Sequence, residues 1–472
     1  MRYFIRISIS ICFILCHSCK KDDDYLYTPF VITDINEAYP DSIYYTDVCI
    51  IGGGASGIGA GYGFIDSSYK VLIIEKEDRL GGTMVNSNVN IWGASLDAPF
   101  CKGIYDDLSA SNKAHLLDGH TKYESTLIKG GSGVIFDADY FAEYIYNKLS
   151  TQSNIDIWLN SEFKNIIEAK GENIYSINVE KNGVSIAIKA NIFIDATRGA
   201  ILCKNRFLNR IIHKKQIKDP GYFLGRDSKD FFNEYDAPKK IEDFVNAPDF
   251  CFEVTPSNTV MSSAITKATN EAIGFIYPLP NGNYIVNPCN FLKLSGYEVI
   301  RMGEEYVYNK ARSQIEAYFS YFKENNPRYK DLSIKSMPRK LGIREDIRIN
   351  CLRMLNQNDL YLDYRDVPDG FFIAKSFHPI DIHGAGRVYD QNPDAIYGIP
   401  YGSIVPIGMR NCFIVSMSAG FSHIAASSVR LSRTLMQLGY AASKASIICL
   451  ENECDNIEIE TLFKNQLLER IK

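Results

Sequence analysis

Apolar residues in this chain fall into short, nearly unbroken runs separated by glycine and charged turns, as expected of strands buried on both faces. The run Asp47–Ile51 leads straight into Gly52-Gly53-Gly54-Ala55-Ser56-Gly57. A helix from about Ala55 to Ile65 and a second apolar strand, Val71–Ile74, complete a β-α-β unit. Farther on, Ile155–Leu159, Phe163–Ala169, Ile174–Glu180 and Val184–Ala190 read as successive strands. Lys170-Gly171-Glu172-Asn173 and Lys181-Asn182-Gly183 supply the turns, which predicts a β-meander. A further strand then runs through Asn191–Thr197.

The pattern changes at about Arg206, and residues 206–340 read as an inserted α+β substrate or cap domain. There, Ile273–Pro280 and Asn283–Pro288 flank Asn281-Gly282, a hairpin signal. Val307, Ala311, Ile315, Tyr318 and Phe322 then recur at the spacing of one helix face, which predicts a core-facing stripe. In the last third Asn411–Val415 reads as a strand, and His423–Leu438 reads as a helix closed by Gly439 at its C-cap. The expected organisation is an α/β fold: a Rossmann-like domain in two parts (44–205 and 341–450), the insertion between them, and a C-terminal segment, 451–472.

Composition adds little beyond exclusions. The 472 residues allow two or three domains, and 46% apolar with 23% charged residues is ordinary for a folded chain. A net charge of −5 carries no basic footprint, so no nucleic-acid partner is expected. Of the 12 cysteines, the nine that follow Cys19 show no Cys-x-x-Cys pair, and no metal site is assigned.

The N-terminus says where the protein works. Arg2 and Arg6 precede an apolar run, Ile7–Cys16, that is too short to span a bilayer but long enough for a signal peptide. Leu15-x-x-x-Cys19 followed by Lys-Lys-Asp-Asp-Asp resembles a bacterial lipoprotein signal. That resemblance implies cleavage after residue 18, a lipidated Cys19, a tether over 19–43 and anchoring to a membrane of the cell envelope. No twin-arginine pair is present, which points to export of an unfolded chain.

The glycine loop sets the cofactor chemistry. Gly52 permits the tight turn, Gly54 lets backbone approach a pyrophosphate, and Gly57 packs helix on strand. Ala55 and Ser56 open the helix, whose unpaired N–H groups favour phosphate. Glu75, eighteen residues after Gly57, is placed to accept ribose hydroxyls. The stretch Glu75-Lys76-x-x-Arg79-Leu80-Gly81-Gly82-Thr83 resembles the acid-then-Gly-Gly pattern of flavoprotein oxidoreductases of the glutathione-reductase type, which implies FAD. Asp195-Ala196-Thr197 resembles the strand end that re-enters the FAD domain in such enzymes.

Taken together, these stretches resemble the FAD-dependent oxidoreductase family, including bacterial exported members, some labelled xanthan lyase-like. Further matching segments are Leu341–Glu345, His378–His383, Tyr397–Pro406 and His423-x-Ala425-x-x-Ser428-x-Arg430. The sequence departs from the family where Arg198-Gly199-Ala200 and Val415-Ser416-Met417 replace glycine-containing segments, and where Arg348 alone remains of two arginines.

The resemblance implies hydride transfer between flavin and a small polar substrate, such as a sugar or uronic-acid derivative. A degraded binding protein and a polysaccharide lyase-like enzyme are the alternatives. Ala196, Thr197, Ser418 and His423 join the loop residues as expected cofactor contacts. His383 or His378 is the candidate base, with Asp381 as orienting partner and Arg344 as substrate-binding group, because imidazole titrates near neutrality. In extended chain Asp381 and His383 share a face and His378 points away. Nothing in the sequence names the electron acceptor.

Overall fold

The computed structural model describes residues 34–93, 96–117, 133–208, 234–240, 243, 245–255, 275–288, 292–325, 330–383, 388–390 and 395–472. The segment expected to be a signal peptide, Cys19 and the first part of the expected tether lie outside them. The tether's end is built into the fold, with Ile35–Asn36 pairing antiparallel to Glu168–Ala169.

Strand β1 (Ser42–Ile51) begins five residues before the expected strand. Its first half is largely exposed, and only its second half is buried on both faces. The apolar run therefore marks the buried half and not the strand. Helix α1 (Ala55–Gly63) and strand β2 (Val71–Ile74) follow as expected. Strand β3 (Ile155–Trp158) pairs parallel with β2. The meander is β4 (Ser161–Lys170), β5 (Asn173–Lys181) and β6 (Val184–Asp195).

Meander and nucleotide sheet form one sheet, in the order Ile35–Asn36, β4, β5, β6, β1, β2, β3. The join is β6, a single strand where two were expected. Its residues Val184–Lys189 pair antiparallel with β5, while Ile186–Asp195 run parallel to β1. Exposed Asn191 interrupts the apolar pattern without interrupting the ladder.

The insertion has its own core. Strands β7 (Phe252–Thr255), β8 (Phe275–Pro278) and β9 (Tyr284–Asn287) form an antiparallel sheet. Helix α2 (Glu304–Asn325) packs on this core through Val307, Ala311, Ile315, Phe319 and Phe322. Phe319 takes the place expected for Tyr318, which sits partly buried at the edge of the core. Strand β10 (Ser333–Ser336) pairs with the other edge of β7.

The β8–β9 hairpin has a three-residue loop, not the two-residue Asn-Gly turn. Leu279 N–H donates to the Asn283 carbonyl, and Gly282 N–H donates to the Leu279 carbonyl. Pro280 suits the first corner of a type I turn, and Gly282 takes the left-handed position with φ +85°.

The chain returns to the first core through β11 (Ile380–Ile382) and β12 (Cys412–Ile414), the latter parallel to the end of β6. The expected helix 423–438 is two helices, α3 (His423–Val429) and α4 (Ser432–Asn452). Gly439 does not cap a helix: α4 continues through it, and a Cβ there would overlap the Ser56 carbonyl oxygen of α1. Gly59 and Gly63 meet α4 as tightly from the other side, at the Met436 backbone and the Ser443 side chain. Ile459 and Leu467 of the C-terminal segment are buried in the same core. Among the described residues, no helix is long and apolar enough to cross a membrane.

Candidate active site

β1 delivers the chain to Gly52, whose φ of +102° turns it into α1. A Cβ on Gly57 would overlap the Gly52 carbonyl oxygen, so the turn and the first helical turn lock together only with glycine there. The second glycine pair closes over the first. Gly81 and Gly82 have φ of +117° and +54°, and a Cβ on Gly82 would lie 2.9 Å from the Gly54 Cα.

Glu75, at the end of β2, is buried, with 7% of its surface exposed. One carboxylate oxygen accepts from Gly53 N–H at 2.6 Å and the other from Glu77 N–H at 2.9 Å. Burial still raises its pKa. Asp195, at the end of β6, accepts from Thr197 N–H and Oγ1 and from the Leu202 and Cys203 N–H groups. It thereby folds Ala196–Ala200 into the turn beside the cradle.

These turns border a cavity of about 650 Å³. Gly52, Gly54, Ala55, Ser56, Glu75, Lys76, Gly82, Thr83, Ala196 and Thr197 line it; Gly57 and Gly81 support it from behind. The open N-terminus of α1, side-chain-free backbone at Gly54 and Gly82, and a buried carboxylate at Glu75 fit the pyrophosphate and ribose of FAD.

A second wall of the same cavity is made of paired charges. Arg344 lines it and forms an ion pair with Asp249; its Nη1 also donates to the Ala247 carbonyl at 2.8 Å. Arg430, at the α3–α4 junction, pairs with Asp381 at 2.7 Å. Arg433 pairs with Asp97 at 3.0 Å and lies over the Trp92 ring. Arg198 is held by Glu304 of α2 and by Asp346, at 3.2 Å from the latter.

The histidines stand behind this wall. His383 Nε2 contacts Asp381 Oδ2 at 2.7 Å, with the shared face expected of extended chain; His378, expected to point away, instead brings Nε2 to 3.9 Å from the same oxygen, because it precedes β11 and strand alternation does not govern it. Neither histidine nor Asp381 lines the cavity; Arg430 stands between. Burial, with Arg344 adding to it, pushes the His383 pKa down to about 4. His378 falls to about 4 through burial and Arg430. Burial alone would raise the Asp381 pKa, but His383 and Arg430 hold it well below the carboxylate range.

Two expected cofactor contacts are also placed elsewhere. Ser418 is fully buried, donating to the Arg198 carbonyl, while its neighbours Ser416 and Met417 line the cavity. His423 is fully buried, with Nδ1 at 2.8 Å from Glu345 Oε2. Glu345 also accepts from Arg348 and from Asn246, so this cluster anchors α3 to the insertion.

Sequence reasoning did not assign Arg430, Asp249, Glu304 or Arg433 to the site. Arg430 stood in a matching stretch and could have been found. The others reach the cavity through tertiary contacts that leave no local signal. Among the described residues, no group of three or more His, Cys, Asp or Glu side chains is arranged to hold a metal.

Among solved structures, the chain is similar to a geranylgeranyl bacteriochlorophyll reductase-like protein from Thermoplasma acidophilum, at 14% identity over 91% of this chain and 84% of that one, with a TM-score of 0.45. It is similar to the myxobacterial chondrochloren halogenase CndH at 11% identity over 90% and 78%, TM-score 0.44. PqsL of P. aeruginosa, in complex with 2-aminobenzoylacetate, gives 11% over 90% and 92%, TM-score 0.39. No curated protein matches. The family described as FAD dependent oxidoreductase matches residues 47–466, from the first strand of the cradle to the last helix, and the chain belongs to that family.

Proposed function

We propose that this FAD-dependent oxidoreductase acts on a small polar substrate, a sugar or uronic-acid derivative, and that it does so in the bacterial cell envelope, anchored through lipidated Cys19. Bound FAD supplies the two-electron redox chemistry. The chain's own residues bind, orient and set protonation. The observation that supports the substrate class is the arginine wall: Arg344, Arg430 and Arg433 border the same cavity as the glycine cradle. A guanidinium clamped by a carboxylate is pre-oriented for planar recognition of a substrate carboxylate or neighbouring hydroxyls.

Under this reading Arg344 and Arg430 hold the substrate. Asp381 fixes Arg430 from behind. His383 stays neutral at pH 7, so it adds no further positive charge to the wall and acts on substrate through Asp381 and Arg430. It becomes a positioning residue in place of the base expected from sequence. The family resemblance and the N-terminal pattern support export.

The test uses the chain without residues 1–18, loaded with FAD and made anaerobic, with flavin absorbance followed as sugars, uronic acids and simple alcohols are added. Bleaching by uronic acids, lost in Arg430→Met while flavin is retained, is the expected result. Bleaching by alcohols or apolar substrates alone overturns the substrate class. Full-length protein that partitions into the aqueous phase of a detergent extraction, exactly as Cys19→Ala does, overturns the anchor.

A further inference from the structure

We propose that Cys449 and Cys454 form a disulfide that staples the C-terminus of α4. The last residues of α4 end in a Schellman motif. Glu453 takes the left-handed conformation with φ +51°, and Cys454 N–H donates to the Cys449 carbonyl at 3.1 Å, closing a six-residue loop. This motif brings the side chain two places past the helix against the one in its last turn. Here both side chains are thiols. Such an arrangement suits the short Cβ separation that a disulfide needs.

The surroundings favour bond formation without backbone movement. Asp455 pairs with Arg410 at 2.7 Å, and Asn456 Nδ2 donates to the Met409 and Cys412 carbonyls at 2.8 and 2.7 Å. The segment after Cys454 is therefore already pinned to the approach and first residue of β12. Both cysteines also line a second cavity, of about 480 Å³, together with Asn173, Arg410 and Asp455. Cys454 is partly exposed, unlike the other described cysteines, all of them buried. Cys203 and Cys412 are both 0% exposed, out of an oxidant's reach.

The reaction is thiol–disulfide exchange with a small disulfide oxidant. The Cys454 thiol loses its proton and attacks the oxidant's S–S bond, releasing one small thiol and leaving a mixed disulfide. Cys449, deprotonated in turn, attacks the Cys454 sulfur and releases the second small thiol. Two protein thiols are oxidised by two electrons and one oxidant disulfide is reduced to two thiols. Burial raises the pKa of both cysteines, so exchange accelerates with alkalinity.

The test treats folded protein with oxidised glutathione at mildly alkaline pH, quenches with acid, denatures, alkylates and digests with trypsin. Cleavage after Lys444 and Lys464 leaves both cysteines in one peptide, Ala445–Lys464. The expected peptide is two hydrogens lighter than the dithiol and free of alkyl groups, and it returns to the doubly alkylated form when reductant precedes alkylation. Cys454→Ser leaves Cys449 singly alkylated. The melting temperature of the wild type rises on oxidation and that of Cys454→Ser does not. A doubly alkylated peptide after oxidation, or glutathione retained on Cys454, overturns the proposal.

Discussion

The two walls of the main cavity are built from opposite materials. The glycine wall is backbone: its donors are peptide N–H groups, and its shape depends on the absence of side chains at Gly54, Gly57 and Gly82. The arginine wall is side chain, with each guanidinium fixed by a carboxylate that reaches it from another element, Asp249, Asp381 or Asp97. The first kind of wall can be spoiled by a single carbon atom. The second is spoiled by a single uncompensated charge.

The sharpest way to break the contrast is Gly57→Val. Its Cβ and methyls collide with the Gly52 carbonyl oxygen, which cannot move without distorting the cradle. The expected cost exceeds about 3 kcal/mol, read as loss of folded, flavin-retaining protein in gel filtration. On the other wall, Asp249→Ala leaves Arg344 buried without its carboxylate, at an expected cost of about 3–5 kcal/mol in urea unfolding. A milder loss from Asp249→Ala than from exposed ion-pair deletions would refute the burial argument.

Acid sharpens the comparison, because it acts on the arginine wall. His383 and His378 titrate near 4 in the folded chain, below the ordinary 6.5. The unfolded chain therefore binds more protons between those values, and stability falls as pH drops through that window. Moving from pH 7 to pH 5 costs on the order of 2 kcal/mol per histidine. Urea midpoints at the two pH values measure it, and His383→Gln should flatten the dependence.

Glu75→Gln is a smaller probe of the glycine wall. Both carboxylate oxygens accept from backbone N–H groups, so the amide must turn its NH2 toward a donor. The expected loss is about 1–2 kcal/mol, read in FAD titration and thermal unfolding. Smallest is Arg198→Ala, which removes partly exposed pairs to Glu304 and Asp346 and should change stability by less than about 1 kcal/mol. A larger change would mean that this contact between insertion and cradle stabilises the molecule far beyond an exposed ion pair.

The contrast also explains what was legible in the sequence. The glycine wall lies within one β-α-β unit, so its residues sit together in the chain and their spacing carries the geometry. The arginine wall is assembled from residues between Asp97 and Arg433, and no spacing rule relates them. His383 shows the limit most clearly: its pairing with Asp381 follows from strand geometry, but its position behind Arg430 depends on where α3 ends. The same limit appears in the elements. Exposed Asn191 hid the continuity of β6, and Gly439 looked like a cap because its steric partner, Ser56, is far away in the sequence.

That partnership has a consequence for biosynthesis. The helix that presents the phosphate cradle is seated on a helix made about 380 positions later, with Gly59 against Met436 and Gly439 against Ser56. At roughly 5–20 residues per second, the ribosome delivers the second helix about 20–80 s after the first. For that interval the cradle has no platform, and the nascent chain stays open to whatever machinery takes unfolded polypeptides.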